Sequence, residues 1–325
     1  MIAAAKIAKA AEYIDKARAV CLICHVNPDG DTVSSALALF SLLQKKGKEV
    51  AVFCDNKIPE KFAFLQNFDK FNISSLKKFD LAIAVDCADE GRTGTMYRYV
   101  KKAISTLSVD HHKPDRAFGD YILNDTSAAA TAEIVYRIIR YFEKADGKTY
   151  MDDSIAAALF CGIITDSGAF SFSNTTEETL AIASELKRYS FDASGMIYDM
   201  ISAKSKKVFE LSASVLSRCK FYEDDRIGVI TFRKSDFAAT GTTSEDTEGI
   251  INNVINVKGV LIAVAVTEEY DKSFKISIRT KAPVDASSVA SAFGGGGHVR
   301  AAGCRLSGYY EDVLDKILKS ARDNL

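Results

Sequence analysis

The chain has 325 residues, of which 47% are hydrophobic and 26% charged, and its formal net charge at pH 7 is −1. This length suggests about two domains, and a mean hydropathy of −0.01 is typical of a globular protein. The near-neutral charge excludes a global basic field, so any nucleic-acid contact must come from a local patch or a short end. No apolar run approaches the roughly 18 to 20 residues of a membrane span. The N-terminal stretch is an amphipathic helix without the apolar segment of a signal peptide, so we expect a cytoplasmic protein.

The seven cysteines are scattered and mostly inside apolar runs, which predicts reduced core residues. The run Cys21-Leu22-Ile23-Cys24-His25 matches a haem-attachment pattern. If this run is a strand, however, Cys21 and Cys24 face opposite sides because their separation is odd. We therefore expect neither haem attachment nor a thioredoxin-like redox pair.

The first half of the chain alternates strand-like and helical patterns, which predicts an α/β domain with a parallel, doubly wound sheet. After residue 226 the pattern changes to that of a smaller α+β domain. The expected boundaries are a first domain at residues 1–190, a helical linker at 191–222 and a second domain at 223–325. The predicted strands are residues 19–24, 49–54, 79–86, 105–110, 227–232, 259–267 and 274–280; the main predicted helices are residues 33–46, 126–144, 154–165, 244–255, 286–293 and 309–324.

Acids and imidazoles follow the ends of the predicted elements in the first domain. A tight Pro-Asp-Gly turn after the first strand carries three of them, and ligands collect at the carboxyl ends of strands in open parallel sheets. Taken singly, each has a simpler explanation as a turn former, a helix cap or a surface pair, although an acid at a helix C-terminus is disfavoured by the dipole. The eight side chains that we expect to converge are His25, Asp29, Asp31, Asp86, Asp110, His111, His112 and Asp166.

So many carboxylates repel one another strongly unless cations lie between them. Oxygen and imidazole ligands without thiolate suit Mn²⁺ or Mg²⁺ better than a structural zinc. More than six ligands fit two ions that share a bridging carboxylate, an arrangement that activates water and clamps a phosphoryl group. The sequence therefore predicts a two-metal site.

The second domain contains four consecutive glycines, Gly294 to Gly297, followed by His298 and Arg300. Glycine backbone amides can approach an anion closely, and Arg279 at the end of a predicted strand is a further anion ligand. A flexible loop and a solvated strand-end arginine are the alternative explanations. If this domain closes over the metal edge, it would hold the phosphate or the terminal nucleotide of the substrate.

These motifs together resemble the DHH phosphoesterase superfamily, in the branch with a C-terminal DHHA1 domain, and among its members the NrnA-type nanoRNase and pAp phosphatase proteins. The resemblance rests on His25-x-x-x-Asp29-x-Asp31, Asp86, Asp110-His111-His112, Asp166 and the Gly-Gly-Gly-His298 block, which span almost the whole chain.

The resemblance implies a role for each position. His25, Asp29 and Asp86 would hold one Mn²⁺, and Asp31, Asp86, His111 and Asp166 the other, with Asp86 bridging. Asp110 would fix an imidazole, and His112 would contact the substrate phosphate. Arg279, Gly296, Gly297 and His298 would bind substrate. A metal-activated hydroxide would cleave short oligoribonucleotides of about two to five units to 5′-mononucleotides, or pAp to AMP.

Other functions stay open at this stage. A cyclic dinucleotide phosphodiesterase, or a hydrolase of linear pApA, uses the same residues. A family II pyrophosphatase shares the metal half, and a RecJ-type exonuclease on long strands carries additional domains. In a different class, a non-catalytic nucleotide-binding module is opposed by the intact ligand set. We expect neither a membrane nor long nucleic acid as a partner. A homodimer is one of the oligomeric states that the sequence leaves open.

Overall fold

The computed structural model describes residues 3–76, 78–113, 118–270 and 272–325, and the side chain of His298 lies outside the described part. The chain forms two compact units, Met1–Ala203 and Lys204–Leu325. Within the described residues, none of the helices has the length and apolar character that a membrane crossing requires.

The first unit is built on a five-stranded parallel sheet with the strand order β2-β1-β3-β4-β5. The order reverses between β1 and β3, which makes this pair the topological switch point of the sheet. Its strands are β1 (Ala19–Cys24), β2 (Glu49–Phe53), β3 (Leu81–Val85), β4 (Ser105–Asp110) and β5 (Tyr121–Asn124). Its helices are α1 (Ala4–Lys16), α2 (Gly30–Lys45), α3 (Tyr97–Val100), α4 (Thr131–Asp146), α5 (Asp153–Asp166), α6 (Glu177–Leu186) and α7 (Ala193–Ile197).

Both faces of this sheet are buried, as the continuous apolar strands require. One face packs on a large core that includes residues of α1, α2, α4, α5 and α6, and the other packs on a smaller core that includes α3. Cys24 belongs to the first core and Cys21 to the second, as the odd spacing predicted. The predicted parallel, doubly wound α/β domain is confirmed.

The second unit has a six-stranded mixed sheet with the order β10-β11-β9-β8-β7-β6, in which only β7 and β8 pair in parallel. Helices that precede β8 in the chain pack on one face of this sheet, and helices that follow β9 pack on the other. The strands are β6 (Lys220–Tyr222), β7 (Ile227–Phe232), β8 (Ile262–Glu268), β9 (Ser273–Thr280), β10 (Gly296–His298) and β11 (Ala301–Ser307). The helices are α8 (Lys206–Leu216), α9 (Lys234–Thr240), α10 (Ile250–Ile255), α11 (Ala286–Ser291) and α12 (Tyr310–Asp323).

Two helix predictions were wrong at their boundaries. The helix expected from residue 126 begins at Thr131, because Asp125 accepts hydrogen bonds from the backbone and hydroxyl of Ser127 and forms a turn there. The helix expected at residues 244–255 is a 3₁₀ turn followed by α10, and Gly249 between them has a left-handed conformation. In the segment expected to be a linker, α7 packs on the core of the first unit and α8 on that of the second.

Candidate metal centre

The carboxyl edge of the first sheet collects the predicted side chains. His25 follows β1 and Asp86 follows β3, so they emerge on the two sides of the switch point, where open α/β sheets bind ligands. Asp31 lies in the first turn of α2, and Asp166 is the last residue of α5. Strand ends and helix ends thus deliver these groups to one place.

Three groups of side chains have ligand atoms within 4.8 Å of one another. His25 Nε2 lies 3.5 Å from Asp29 Oδ1 and 3.4 Å from Asp86 Oδ2. On the other side, His111 Nε2 lies 3.2 Å from Asp166 Oδ2 and 3.7 Å from Asp86 Oδ1. The groups are His25 with Asp29 and Asp86, Asp31 with His111 and Asp166, and Asp86 with His111 and His112.

Asp86 belongs to two of these three groups, and His111 links the third group to them. One carboxylate oxygen faces His25 and the other faces His111 and His112, so its two oxygens address different sets of ligands. The residue is buried and has a φ of 61°. This left-handed conformation is uncommon for a residue other than glycine, though aspartate tolerates it better than most, and it turns the chain sharply at the end of β3.

The N-terminus of α4 fixes Asp31. Its carboxylate accepts hydrogen bonds from the amides of Thr131 at 2.6 Å and Ala132 at 3.0 Å, and from the Ser35 hydroxyl at 3.1 Å. The positive end of a helix dipole favours an anion at this position. The Thr131 hydroxyl also donates to Asp86 Oδ1 at 2.9 Å, so one residue holds both buried carboxylates.

Backbone carbonyls orient two of the imidazoles. His25 Nδ1 lies 2.8 Å from the carbonyl of Val26, and His111 Nδ1 lies 3.2 Å from that of Ala128. Because a carbonyl only accepts hydrogen bonds, Nδ1 carries a proton in both rings, and Nε2 is the nitrogen that faces the carboxylates and would bind an ion once it is deprotonated. Among the described residues, neither Nε2 has a hydrogen-bond partner although both are buried, and Asp86 Oδ2 is likewise unpaired.

Asp110 orients the third imidazole of the centre, that of His112. His112 Nδ1 lies 2.9 Å from Asp110 Oδ1, and the same oxygen accepts the His112 amide. The Asn124 side chain binds the His112 carbonyl. The Asp110 carboxylate therefore sets the orientation of the His112 ring, in the way that carboxylates orient functional imidazoles.

The pKa shifts at this centre are those expected where buried carboxylates outnumber positive charges. Burial, together with the carboxylates of Asp86 and Asp166, raises the pKa of Asp31 well above its usual range. Burial also raises the pKa of Asp166 to about 6. Burial opposes protonation of His25 and His111, but their neighbouring carboxylates outweigh it and raise each pKa to about 10. Protons held in this way take the place that cations would fill.

The donor set fits divalent cations with hard ligands. It consists of carboxylate oxygens and imidazole nitrogens, which suit Mn²⁺ or Mg²⁺. Cys24 and Cys87 lie next to the centre in sequence, but burial raises the pKa of both thiols well above the ordinary value, so thiolate ligands are not available. The unpaired buried Nε2 and carboxylate atoms provide the positions where such ions would bind.

The predicted substrate residues lie in the second unit. Gly296 and Gly297 pair with Gly303 and Ala302 of β11, so this segment is a short strand rather than a loose loop. His298 and Arg279 both pair with Ala301, from opposite sides, which puts the three residues in one row across the sheet. Gly297 has a φ of 152°, and a Cβ there would lie 2.4 Å from the Ala301 carbonyl oxygen, so only glycine fits.

Sequence reasoning missed Thr131, which contacts both buried carboxylates, and Asn174, whose amide binds the carbonyls of Asp166 and Ala129. The only local signal for Thr131 was Glu133 two residues later, an acid in the first turn of a helix. Because acids are favoured in the first turn of a helix, Glu133 indicates a helix start near Thr131 instead of the predicted residue 126.

A doubly wound sheet whose switch point carries overlapping carboxylate and imidazole groups defines the class of metal-dependent hydrolases. Family models for the DHH family N-terminal domain and the DHHA1 domain match residues 19–163 and 229–325. The chain belongs to the DHH family, and it is a phosphoester hydrolase, as the motifs predicted.

Relatives with assigned names match almost the whole chain. The bifunctional oligoribonuclease and PAP phosphatase NrnA of Thermus thermophilus is 30% identical over 93% of this chain and 88% of its own length. The protein of the same name from Bacillus subtilis is 29% identical over 90% of each chain. An exopolyphosphatase-related protein from Bacteroides fragilis has the same fold, with a TM-score of 0.91 and 23% identity over 99% of this chain and 97% of that one.

Proposed function

We propose that this protein hydrolyses short oligoribonucleotides of about two to five units to 5′-mononucleotides, and pAp to AMP, with two Mn²⁺ ions at the centre around Asp86. The observation that carries the proposal is the division of the Asp86 oxygens, one 3.4 Å from His25 Nε2 and the other 3.7 Å from His111 Nε2. The similarity to relatives named oligoribonuclease and PAP phosphatase supports the substrate class.

In this proposal His25, Asp29 and Asp86 would hold one ion, and Asp31, His111 and Asp166 would hold a second with Asp86 as the ligand common to both. When bound, such a pair of ions lowers the pKa of water and neutralises phosphate charge. Asp110 keeps the His112 ring in place, and His112 contacts the substrate phosphate. Thr131 fixes the spacing of Asp31 and Asp86 through its amide and hydroxyl.

The second unit would bind the nucleotide through Arg279, Gly296, Gly297 and His298. The Arg279 guanidinium is partly buried and donates to the Ile278 carbonyl at 3.1 Å; among the described residues no carboxylate lies within salt-bridge distance of it. Burial lowers the pKa of this guanidinium more than the charge of Glu248 raises it, and a half-buried cation that is only partly neutralised favours a phosphate ligand. The open space beside Gly296 gives such a group access to the backbone.

A substrate panel tests the proposal. With Mn²⁺ present, we expect turnover of pAp and of dinucleotides, and much slower turnover of a 24-mer RNA, cyclic di-AMP and pyrophosphate. The Asp86→Asn variant keeps the shape of the side chain and should lose activity by more than about 100-fold, beyond the loss typical of outer-sphere residues. Preferred turnover of cyclic di-AMP would overturn the substrate assignment, and a fully active Asp86→Asn would overturn the two-metal assignment.

A further inference from the structure

The segment that follows Asp166 is held in an unusual conformation. Gly168, Ala169 and Phe170 are consecutive residues with positive φ, of 55°, 50° and 69°. For alanine and phenylalanine this left-handed region costs roughly 1–2 kcal/mol per residue. Strained backbone of this kind persists where the surrounding structure imposes it, and it concentrates at functional sites.

Hydrogen bonds tie this segment to the metal centre. The Phe172 amide donates to the Ser167 carbonyl at 3.0 Å, and the Thr175 amide donates to the Phe172 carbonyl at 3.1 Å. The Asn174 side chain donates to the carbonyls of Asp166 and Ala129, each at 3.1 Å. The loop therefore closes back on a candidate metal ligand, and its position is fixed relative to that ligand.

The two phenylalanines of the loop have different surroundings. Phe170 is partly buried and packs on the first core, with its ring centroid 6.2 Å from that of Phe160. Phe172 is 55% exposed, and the edge of its ring covers Gly168, where a Cβ would lie 2.5 Å from the ring Cζ. The strained turn thus buries one ring and keeps the other in contact with solvent.

Phe172 also lies close to the reacting centre. The Phe172 ring contacts Gly168, which is two residues after Asp166. The Cα atoms of Gly168 and Asp166 are therefore at most about 7 Å apart. A phosphate at the metal centre would therefore have its own nucleoside within reach of this ring. Phenylalanine offers a flat apolar face and no polar atom.

We propose that Phe172 is a stacking platform for the base of the nucleotide whose phosphate lies at the metal centre. This inference rests on the proposed function, and it adds a base-binding residue within the first unit. Every nucleobase has a π-face, so stacking on an aromatic ring tolerates all sequences. Because Phe172 cannot read the edge of a base, it contributes affinity without base preference.

Two substrates separate base stacking from other effects: a dinucleotide, and an analogue with the same phosphodiester but an abasic sugar. We expect Phe172→Ala to raise the KM for the dinucleotide about 5- to 150-fold, the range that corresponds to base–aromatic stacking. The abasic analogue should be hydrolysed equally well by both proteins. Phe172→Tyr should retain the wild-type KM, and Phe64→Ala removes a ring of similar exposure, 51%, elsewhere in the same unit and should change nothing.

A binding measurement complements the kinetics. A dinucleotide that contains 2-aminopurine loses fluorescence when this base stacks, and a non-hydrolysable phosphate linkage keeps it intact on a protein with an unaltered metal centre. We expect fluorescence quenching by the wild type and by Phe172→Tyr. We expect none by Phe172→Leu, because leucine is apolar and preserves the fold but has no aromatic face. An unchanged dinucleotide KM in Phe172→Ala, or an equal loss for both substrates, would overturn the inference. Failure of the wild-type protein to hydrolyse any nucleotide would instead overturn the proposed function.

Discussion

The Thr131 hydroxyl donates a hydrogen bond of 2.9 Å to Asp86 Oδ1, while the amide of the same residue donates to Asp31 Oδ2 at 2.6 Å. Two buried carboxylates from different elements are thereby tied to the first residue of one helix. Asp31 and Asp86 repel each other when both are ionised. The two hydrogen bonds from Thr131 lower the free energy of holding these carboxylates side by side. Thr131 is thus a positioning residue for the centre.

Replacing Thr131 with valine should weaken Mn²⁺ binding. Valine has the same shape, and its backbone amide can still donate a hydrogen bond to Asp31. The substitution removes the hydroxyl that orients Asp86. We expect Mn²⁺ affinity, measured by isothermal titration calorimetry, to fall about 10- to 100-fold, as for other residues that orient metal ligands. Thr131→Ser keeps a hydroxyl and should stay close to wild type.

Thr93→Val is the matched control for this experiment. Thr93 is also a buried threonine of the first unit, but its hydroxyl donates to a backbone carbonyl, that of Glu90 at 2.6 Å, instead of to a carboxylate. Its loss should lower stability without changing Mn²⁺ affinity. Equal affinities of Thr131→Val and the wild type would show that the hydroxyl does not position Asp86.

The ligand candidates were predictable because each follows a recognisable element. His25 and Asp86 come after continuous apolar runs, and parallel strands end at one edge of a sheet. Their mutual geometry also follows from topology, since β1 and β3 are neighbours. Whether each residue binds an ion remains a prediction.

The supporting residues were not predictable from the sequence. Thr131 acts in part through its backbone amide, which every residue except proline carries, and the partner of that amide is 100 positions away. The strands β10 and β11 also escaped prediction because their glycines and alanines lack the β-branched alternation of a strand pattern. Features that depend on tertiary partners leave little local signal in the sequence.

Metal binding should release protons at neutral pH. Without a cation, the pKa of His25 and that of His111 are about 10, so both rings are protonated at pH 7. Ligation requires neutral imidazole, so each ring loses a proton when an ion binds. Apparent Mn²⁺ affinity should therefore rise between pH 7 and pH 9, by about tenfold per pH unit for each proton released.

Calorimetry in buffers with different ionisation enthalpies counts these protons directly. We expect at least about two protons released at pH 7 for full occupancy by the proposed two ions, one from each imidazole, and one fewer in His111→Asn. Affinity that is constant from pH 7 to pH 9 would contradict protonated imidazoles in the metal-free protein.

Gly162 allows α5 to lie close to α4 and to Asp31. It precedes Asp166 by four residues, so both are on the same face of the helix. A Cβ at this position would lie 2.8 Å from Ala132 Cβ and 2.8 Å from Asp31 Oδ1. Gly162→Ala should lower the free energy of unfolding by up to about 2 kcal/mol, since overpacking costs about 1–3 kcal/mol and the helix preference of alanine returns about 1 kcal/mol. Urea unfolding measures this loss, and an increase in stability would contradict the close packing.

Arg279 should act on substrate affinity rather than on the chemical step. Its guanidinium is half-buried, and burial lowers its pKa, so a phosphate would relieve an unfavourable charge. Hydrogen bonds between charged groups contribute about 1.5–3 kcal/mol, so Arg279→Ala should raise the KM for pAp about 10- to 100-fold while kcat changes little. Arg305→Ala is the matched control, because Arg305 lies in the adjacent strand but binds Glu269 at 2.9 and 3.1 Å. Surface ion pairs of this kind contribute little, so this control should keep the wild-type KM. A fall in kcat with an unchanged KM in Arg279→Ala would contradict a role in substrate binding.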